Sequence, residues 1–201
     1  MPPSAPRRLW GCLLPLALMV LIVAGFAVYL KLQARSEESH PPAAAPPDLC
    51  AAIGPALFER LVPFGVPETA SIYSSGSDAA CAYSTADGRP IGSNTYGFLR
   101  VRLLRYGQIG WDSGADRAAD ALTSACKSSA SAGQFHPSSG LGDSSCAVYS
   151  DPDQGGTAHG SVVFRRGADL FSIDYYTHPG TAEQAERAVT EVARAALAGV
   201  P

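Results

Sequence analysis

The pattern of hydrophobic and polar positions divides the chain into three parts. Residues 9–30, LWGCLLPLALMVLIVAGFAVYL, form an apolar run without a single charge. As an unbroken helix rising about 1.5 Å per residue, this run is about 33 Å long, enough to cross a hydrocarbon core of about 30 Å. Residues 31–47 turn polar and then rich in proline and alanine, which predicts an extended tether with no face to bury. From residue 48 to 201 the apolar positions recur at helical and strand spacing, as in one globular domain.

Within that domain, Gly54-Pro55 predicts a helix opening with proline at its first position, and Pro63 closes it. Leu57, Leu61 and Phe58 are its candidate core positions. A strand over residues 80–85 precedes a longer one over residues 95–106. There Leu99, Val101 and Leu103 alternate with Arg100 and Arg102, so one face is apolar and the other cationic. Ala115, Ala118, Ala119, Leu122 and Cys126 repeat at helical spacing, with Cys126 toward the sheet. Residues 128–145 read as loop by composition, and Asp143 as the cap of a Gly-Leu-Gly-Asp turn.

Residues 160–176 predict a hairpin about a two-residue Gly167-Ala168 turn. Arg166 then lies opposite Asp169, Phe164 opposite Phe171, and Val162 opposite Ile173. Ser161, Arg165, Ser172, Asp174 and Tyr176 fall on the opposite face. Thr181 and Gln184 form a capping box, and Ala185, Ala188, Val189, Val192 and Ala196 make one buried stripe of a final helix. The resulting class is α+β: an antiparallel sheet with helices packed mainly on one face, two disulfides, and one transmembrane helix ahead of it.

Charge and cysteines set the compartment. The chain is formally −3, and residues 48–201 carry 11 Lys or Arg against 16 Asp or Glu, or −5. A mildly acidic domain is poorly suited to nucleic acid, and no such partner is expected. Arg7 and Arg8 before the apolar run nearly balance Lys31 and Arg35 after it, so orientation rests on a second argument. Cys50, Cys81, Cys126 and Cys146 follow the run with no C-x-x-C pair among them, and an even number behind a membrane-targeting segment reads as two disulfides in an oxidising compartment. Of the three possible connectivities, Cys50 with Cys81 and Cys126 with Cys146 is preferred, because each half then repeats a cysteine beside a helix followed by a cysteine opening a strand.

The expected layout is a cytoplasmic tail at 1–8, a membrane signal anchor at 9–30, a tether at 31–47, and an extracytoplasmic domain at 48–201 of a single-pass cell-membrane protein. An uncleaved anchor is preferred to a cleaved signal peptide, because the run exceeds the usual apolar core of such signals and no small-residue cleavage pattern ends it.

The early cysteine ahead of a Pro-led helix, the Cys81-Ala82-Tyr83 strand, the Gly140-Leu141-Gly142-Asp143 turn, and the closing hairpin and helix resemble a group of actinobacterial envelope lipoproteins of unknown function. The same features are similar to the related extracellular sensor domains of PknH-like Ser/Thr kinases. The resemblance covers residues 48–200. It implies an extracytoplasmic domain with two disulfides and a ligand-binding cleft. The sequence departs from that group in carrying no kinase domain and no lipidation cysteine after the apolar run, since Cys12 lies near its start.

No G-x-S-x-G or H-E-x-x-H motif is present. His40, His136, His159 and His178 are scattered, mostly beside Pro or Gly, and read as loop and surface residues. No catalytic role, metal site or cofactor is expected. The one constellation of interest is the polar sheet face, Arg100, Arg102, Arg165, Asp174 and Tyr176, where guanidinium groups could take a small anionic ligand. The expected function is an anchored extracytoplasmic binding or sensor-like module of unknown ligand. The alternative is a structural or assembly partner of other envelope proteins, and the membrane is engaged through residues 9–30.

Overall fold

The computed structural model describes residues 10–36, 39–85, 93–130, 133–150 and 156–201, with the backbone course alone for 10–18, 33–36 and 129–130. The chain divides into two compact units, Met1–Ser39 with Ile109–Trp111, and His40–Gln108 with Asp112–Pro201. The first contains α1, Trp10–Ser36. Its described side chains from Met19 to Leu32 are exposed. Among the described residues no helix is long and apolar enough to cross a membrane. Positions 9–18, the first part of the apolar run, lie outside the described side chains.

The second unit is α+β. Its helices are α2 (Leu49–Ile53), α3 (Pro55–Leu61), α4 (Gly114–Lys127) and α5 (Ala182–Gly199). The strands of its main sheet are β1 (Gly65–Pro67), β2 (Tyr73–Ser75), β3 (Asp78–Thr85), β4 (Tyr96–Arg105), β5 (His136–Ser138), β6 (Ser144–Ser150), β7 (Ala158–Arg166) and β8 (Asp169–His178). They form one eight-stranded sheet in the order β1-β3-β4-β8-β7-β6-β5, with β2 beside β3. Every strand pair in it is antiparallel.

Local signals explain the elements. Asp48 accepts hydrogen bonds from the amides of Cys50 and Ala51 and so starts α2. Ser113 with Asp116, and Thr181 with Gln184, are reciprocal capping boxes for α4 and α5. The β7–β8 hairpin has the expected register, with Arg166 opposite Asp169, Phe164 opposite Phe171, and Val162 opposite Ile173. The two phenylalanine rings stack with centroids 4.8 Å apart. Gly167 takes a positive φ of 57° at the turn, as the first central residue of a type II′ turn requires.

The main core lies on one face of the sheet. Leu49 of α2, Phe58 of α3, and Val189 and Val192 of α5 pack there against Leu99, Val101, Leu103, Val162, Phe164, Phe171 and Ile173. In α3 it is Phe58 that is fully buried, while the expected Leu57 and Leu61 are only partly covered. Gly160 sits directly under α5, where a Cβ would press 3.1 Å from that of Ala185, so its lack of a side chain lets helix and sheet approach.

The helices do not share one face. Leu122 of α4 packs against Cys146, Val163 and Leu170, which strand alternation places opposite Ala147, Val162 and Phe171 of the main core. The sheet is therefore covered by α2, α3 and α5 on one side and, at one end, by α4 on the other.

The disulfides are Cys50–Cys81 and Cys126–Cys146, with Cα–Cα distances of 5.2 and 5.8 Å. The first ties α2 to β3 on the main core side, and the second ties α4 to β6 on the opposite side. The end of the proline-rich segment is fixed to the domain. Pro46 is buried, and its carbonyl accepts from Ser74 Oγ at 2.9 Å.

Candidate functional site

Strand alternation builds a ladder on the face that α4 only partly covers. Tyr96, Phe98, Arg100, Arg102 and Leu104 of β4 lie opposite His178, Tyr176, Asp174, Ser172 and Leu170 of β8. His159, Ser161, Val163 and Arg165 of β7 continue the rows. Apolar residues fill the end under α4, through Leu104, Leu170 and Val163. At the other end the rows are aromatic: Tyr96 stacks on His178 at 5.0 Å and Phe98 on Tyr176 at 5.2 Å, and His159 lies 5.7 Å from Tyr176.

The three arginines read from the sequence have different fates. Arg102 donates from Nε to both Asp78 oxygens, at 3.0 and 3.2 Å, and from Nη2 to Oδ2 at 2.5 Å. These hydrogen bonds push the Arg102 guanidinium well above its ordinary pKa, so it is a committed structural cation. Arg165 lies at the α4 end, two rows from Arg100, where it pairs with Asp143 at 3.2 Å and donates to the Gly167 carbonyl at 3.0 Å. Asp143 does not cap its own turn. Its carboxylate accepts from the Gly167 amide at 2.7 Å and so bridges to the β7–β8 hairpin.

Arg100 alone of the three makes no ion pair with a described residue. Its Nε is buried and without a hydrogen-bond partner among the described residues. Asp174 stands directly opposite it on β8, exposed, and accepts Ser161 Oγ at 2.7 Å. That hydroxyl, on β7, is the hydrogen-bond donor to the carboxylate among the described residues, and no ion pair joins Asp174 to Arg100. Burial raises the Tyr176 phenol above its ordinary pKa, and the negative charge of Glu68 adds to the effect. Arg100, Asp174 and Tyr176 thus come together in adjacent rows, whereas Arg102 and Arg165 are occupied elsewhere.

The structure adds Phe98, His159, His178 and Glu68 to this region. Phe98 and His178 were readable by counting two positions from Arg100 and Tyr176 along the same strands, and His159 by the hairpin register. The histidines at 159 and 178 are strand residues, not loop residues. Glu68 belongs to an irregular stretch and reaches the region only because its amide donates to the Ala82 carbonyl, beside Arg100, at 2.9 Å. His136 lies apart, on β5 at the sheet edge. Among the described residues no group of His, Cys, Asp or Glu is arranged to hold a metal ion.

A groove of about 430 Å³ opens at the far end of β4 and β8, lined in part by Arg105, Arg166 and Asp169. Its polar groups satisfy one another. Arg105 donates from Nε and Nη2 to the two Asp169 oxygens at 2.8 and 2.9 Å, and Arg166 donates to the Leu197 and Val200 carbonyls at 3.0 and 2.7 Å. Arg166 therefore caps the C-terminal end of α5, where a cation complements the helix dipole. The groove is a structural junction rather than an open binding site.

Comparison with family models, curated proteins and solved structures finds no match to this chain. The functional reading rests on the geometry of the face around Arg100.

Proposed function

We propose that this chain is a membrane-anchored extracytoplasmic binding module, with residues 9–30 as its anchor and the face around Arg100, Asp174 and Tyr176 as its ligand site. The supporting observation is Arg100 itself. Arg102 and Arg165 each hold a carboxylate, whereas Arg100 makes no ion pair with a described residue and its Nε lacks a described partner, so its guanidinium carries a hydrogen-bonding demand that an acceptor on a ligand would meet. The two disulfides support the oxidising side of the membrane. The uncharged run at 9–30 supports the anchor.

The test has two parts. Alkylation of intact cells before and after reduction should label the four domain cysteines only after reduction; labelling without reduction would contradict the location. A thermal-shift survey of the full chain in detergent against small carboxylates, phosphates and zwitterions should find a compound that raises the melting temperature of the wild type but not of Arg100→Gln. A shift retained in that variant would contradict the site.

A further inference from the structure

Resting on that reading of the Arg100 face, the charges around the arginine narrow the ligand. Arg100 and Asp174 are directly opposed, so their Cβ atoms stand about 5 Å apart, yet they are not joined to each other. Asp174 is exposed and engages only Ser161 Oγ among the described residues. Glu68 borders the same region: its backbone amide donates to the carbonyl of Ala82, the β3 neighbour of Arg100 in the ladder, and its carboxylate, which accepts from Ser71 Oγ at 3.3 Å, is near enough to raise the pKa of the Tyr176 phenol. Two carboxylates thus accompany one guanidinium that has no ion-pair partner among the described residues, and a purely anionic ligand reaching Arg100 would be repelled by both. A ligand carrying both signs meets no such opposition.

The next row supplies the third element. Phe98, Tyr176 and His159 form a continuous strip of rings beside the charged row, suited to an apolar body. Asp174 accepts hydrogen bonds, so it matches an ammonium that still carries N–H donors better than a quaternary one, and Arg100 matches a carboxylate.

We infer that the face binds a zwitterionic α-amino acid with an apolar side chain: its carboxylate on Arg100, its ammonium on Asp174, and its side chain along the Phe98–Tyr176–His159 strip. The arrangement positions a bound molecule and performs no bond chemistry.

Isothermal titration of the full chain in a non-ionic detergent tests this, with L-phenylalanine, 3-phenylpropanoate (no ammonium), 2-phenylethylamine (no carboxylate) and phosphocholine as probes. Loss of either charged contact should weaken binding by about 10–100-fold relative to L-phenylalanine. The variants Arg100→Gln and Asp174→Asn should each impose a comparable loss for L-phenylalanine while retaining the wild-type circular dichroism spectrum. Equal binding of 3-phenylpropanoate and L-phenylalanine, both lost in Arg100→Gln, would overturn the zwitterion inference and leave the ligand site in place. Binding unaffected by either variant would overturn both. Binding of phosphocholine alone, or of no probe at millimolar concentration, would overturn the amino-acid assignment.

Discussion

Arg100 and Asp174 face one another across β4 and β8 without forming an ion pair. Ser161 Oγ donates to the carboxylate at 2.7 Å, while the Arg100 Nε is buried without a partner among the described residues. The pair contrasts with Arg105 and Asp169 at the other end of the same two strands, where two short hydrogen bonds close the ion pair completely. One pair serves the fold, and the other is left open.

The closed pair makes a stability prediction. Asp169 is only 6 % exposed, and removing it strands Arg105 in a largely buried position. Asp169→Ala should cost about 3–5 kcal/mol in urea unfolding, and Arg105→Met in the same background should recover part of that loss. Additive losses in the double variant would show that the two residues are not coupled.

Helix α4 depends on its disulfide more than the main-core helices do, since its contact layer on the sheet is small. The Cys126–Cys146 bridge closes a loop of sequence separation 20, which corresponds to about 3 kcal/mol in the chain-entropy description. Replacing both cysteines by alanine should lower stability by about that amount and increase amide exchange in α4 ahead of α5. Equal protection of the two helices in the variant would contradict this.

Gly142 has a φ of 60°, and a Cβ there would collide with the Arg165 carbonyl. That carbonyl accepts the Asp143 amide at 2.7 Å. Gly142→Ala should destabilise by more than about 1 kcal/mol. Gly140→Ala, with a positive φ but open space around it, should cost less. The denaturation midpoints of the two variants rank them directly.

Alkaline pH gives a further test. Burial raises the phenol pKa of Tyr175, whose hydroxyl donates to the Leu61 carbonyl at 3.1 Å; Tyr149 is raised by the same cause. As pH passes about 10 the unfolded tyrosines ionise while the folded ones keep their protons. Their contribution is fully present below about pH 10 and is lost as pH rises toward the folded pKa values. The urea midpoint should fall between pH 8 and pH 11. Tyr175→Phe should lose about 1 kcal/mol at pH 8 through the missing hydrogen bond and show a shallower alkaline fall. An unchanged alkaline slope would contradict the assignment.

The hairpin and the Thr181–Gln184 capping box were legible because each is local or carried by strict alternation, as in Phe164, Arg165 and Arg166 around Gly167, and both disulfide pairings follow the repeated order of a cysteine beside a helix and a cysteine opening a strand. The placement of α4 was not. Cys146, Ala147, Val148 and Tyr149 are apolar at every position, so their alternation does not say which cysteine faces which layer, and only the fold puts Cys146 opposite Ala147. The edge strand at His136, Pro137 and Ser138 was hidden by its proline, which an edge position tolerates because its amide is not needed by a further strand. The candidate face was half legible. Its arginines follow from period two, but the partners that remove Arg102 and Arg165 from it, Asp78 and Asp143, lie at a strand start and in a turn, where sequence spacing says nothing about reach.

The most direct measurement of the central claim is arginine footprinting of the full chain in detergent with phenylglyoxal, read by peptide mass. If Arg100 is the guanidinium of this face without an ion-pair partner, it reacts about tenfold faster than Arg102, which three hydrogen bonds to Asp78 hold, and saturating L-phenylalanine protects it. Modification of Arg100 at the same rate as Arg102, or no slower with ligand than without, would contradict the account.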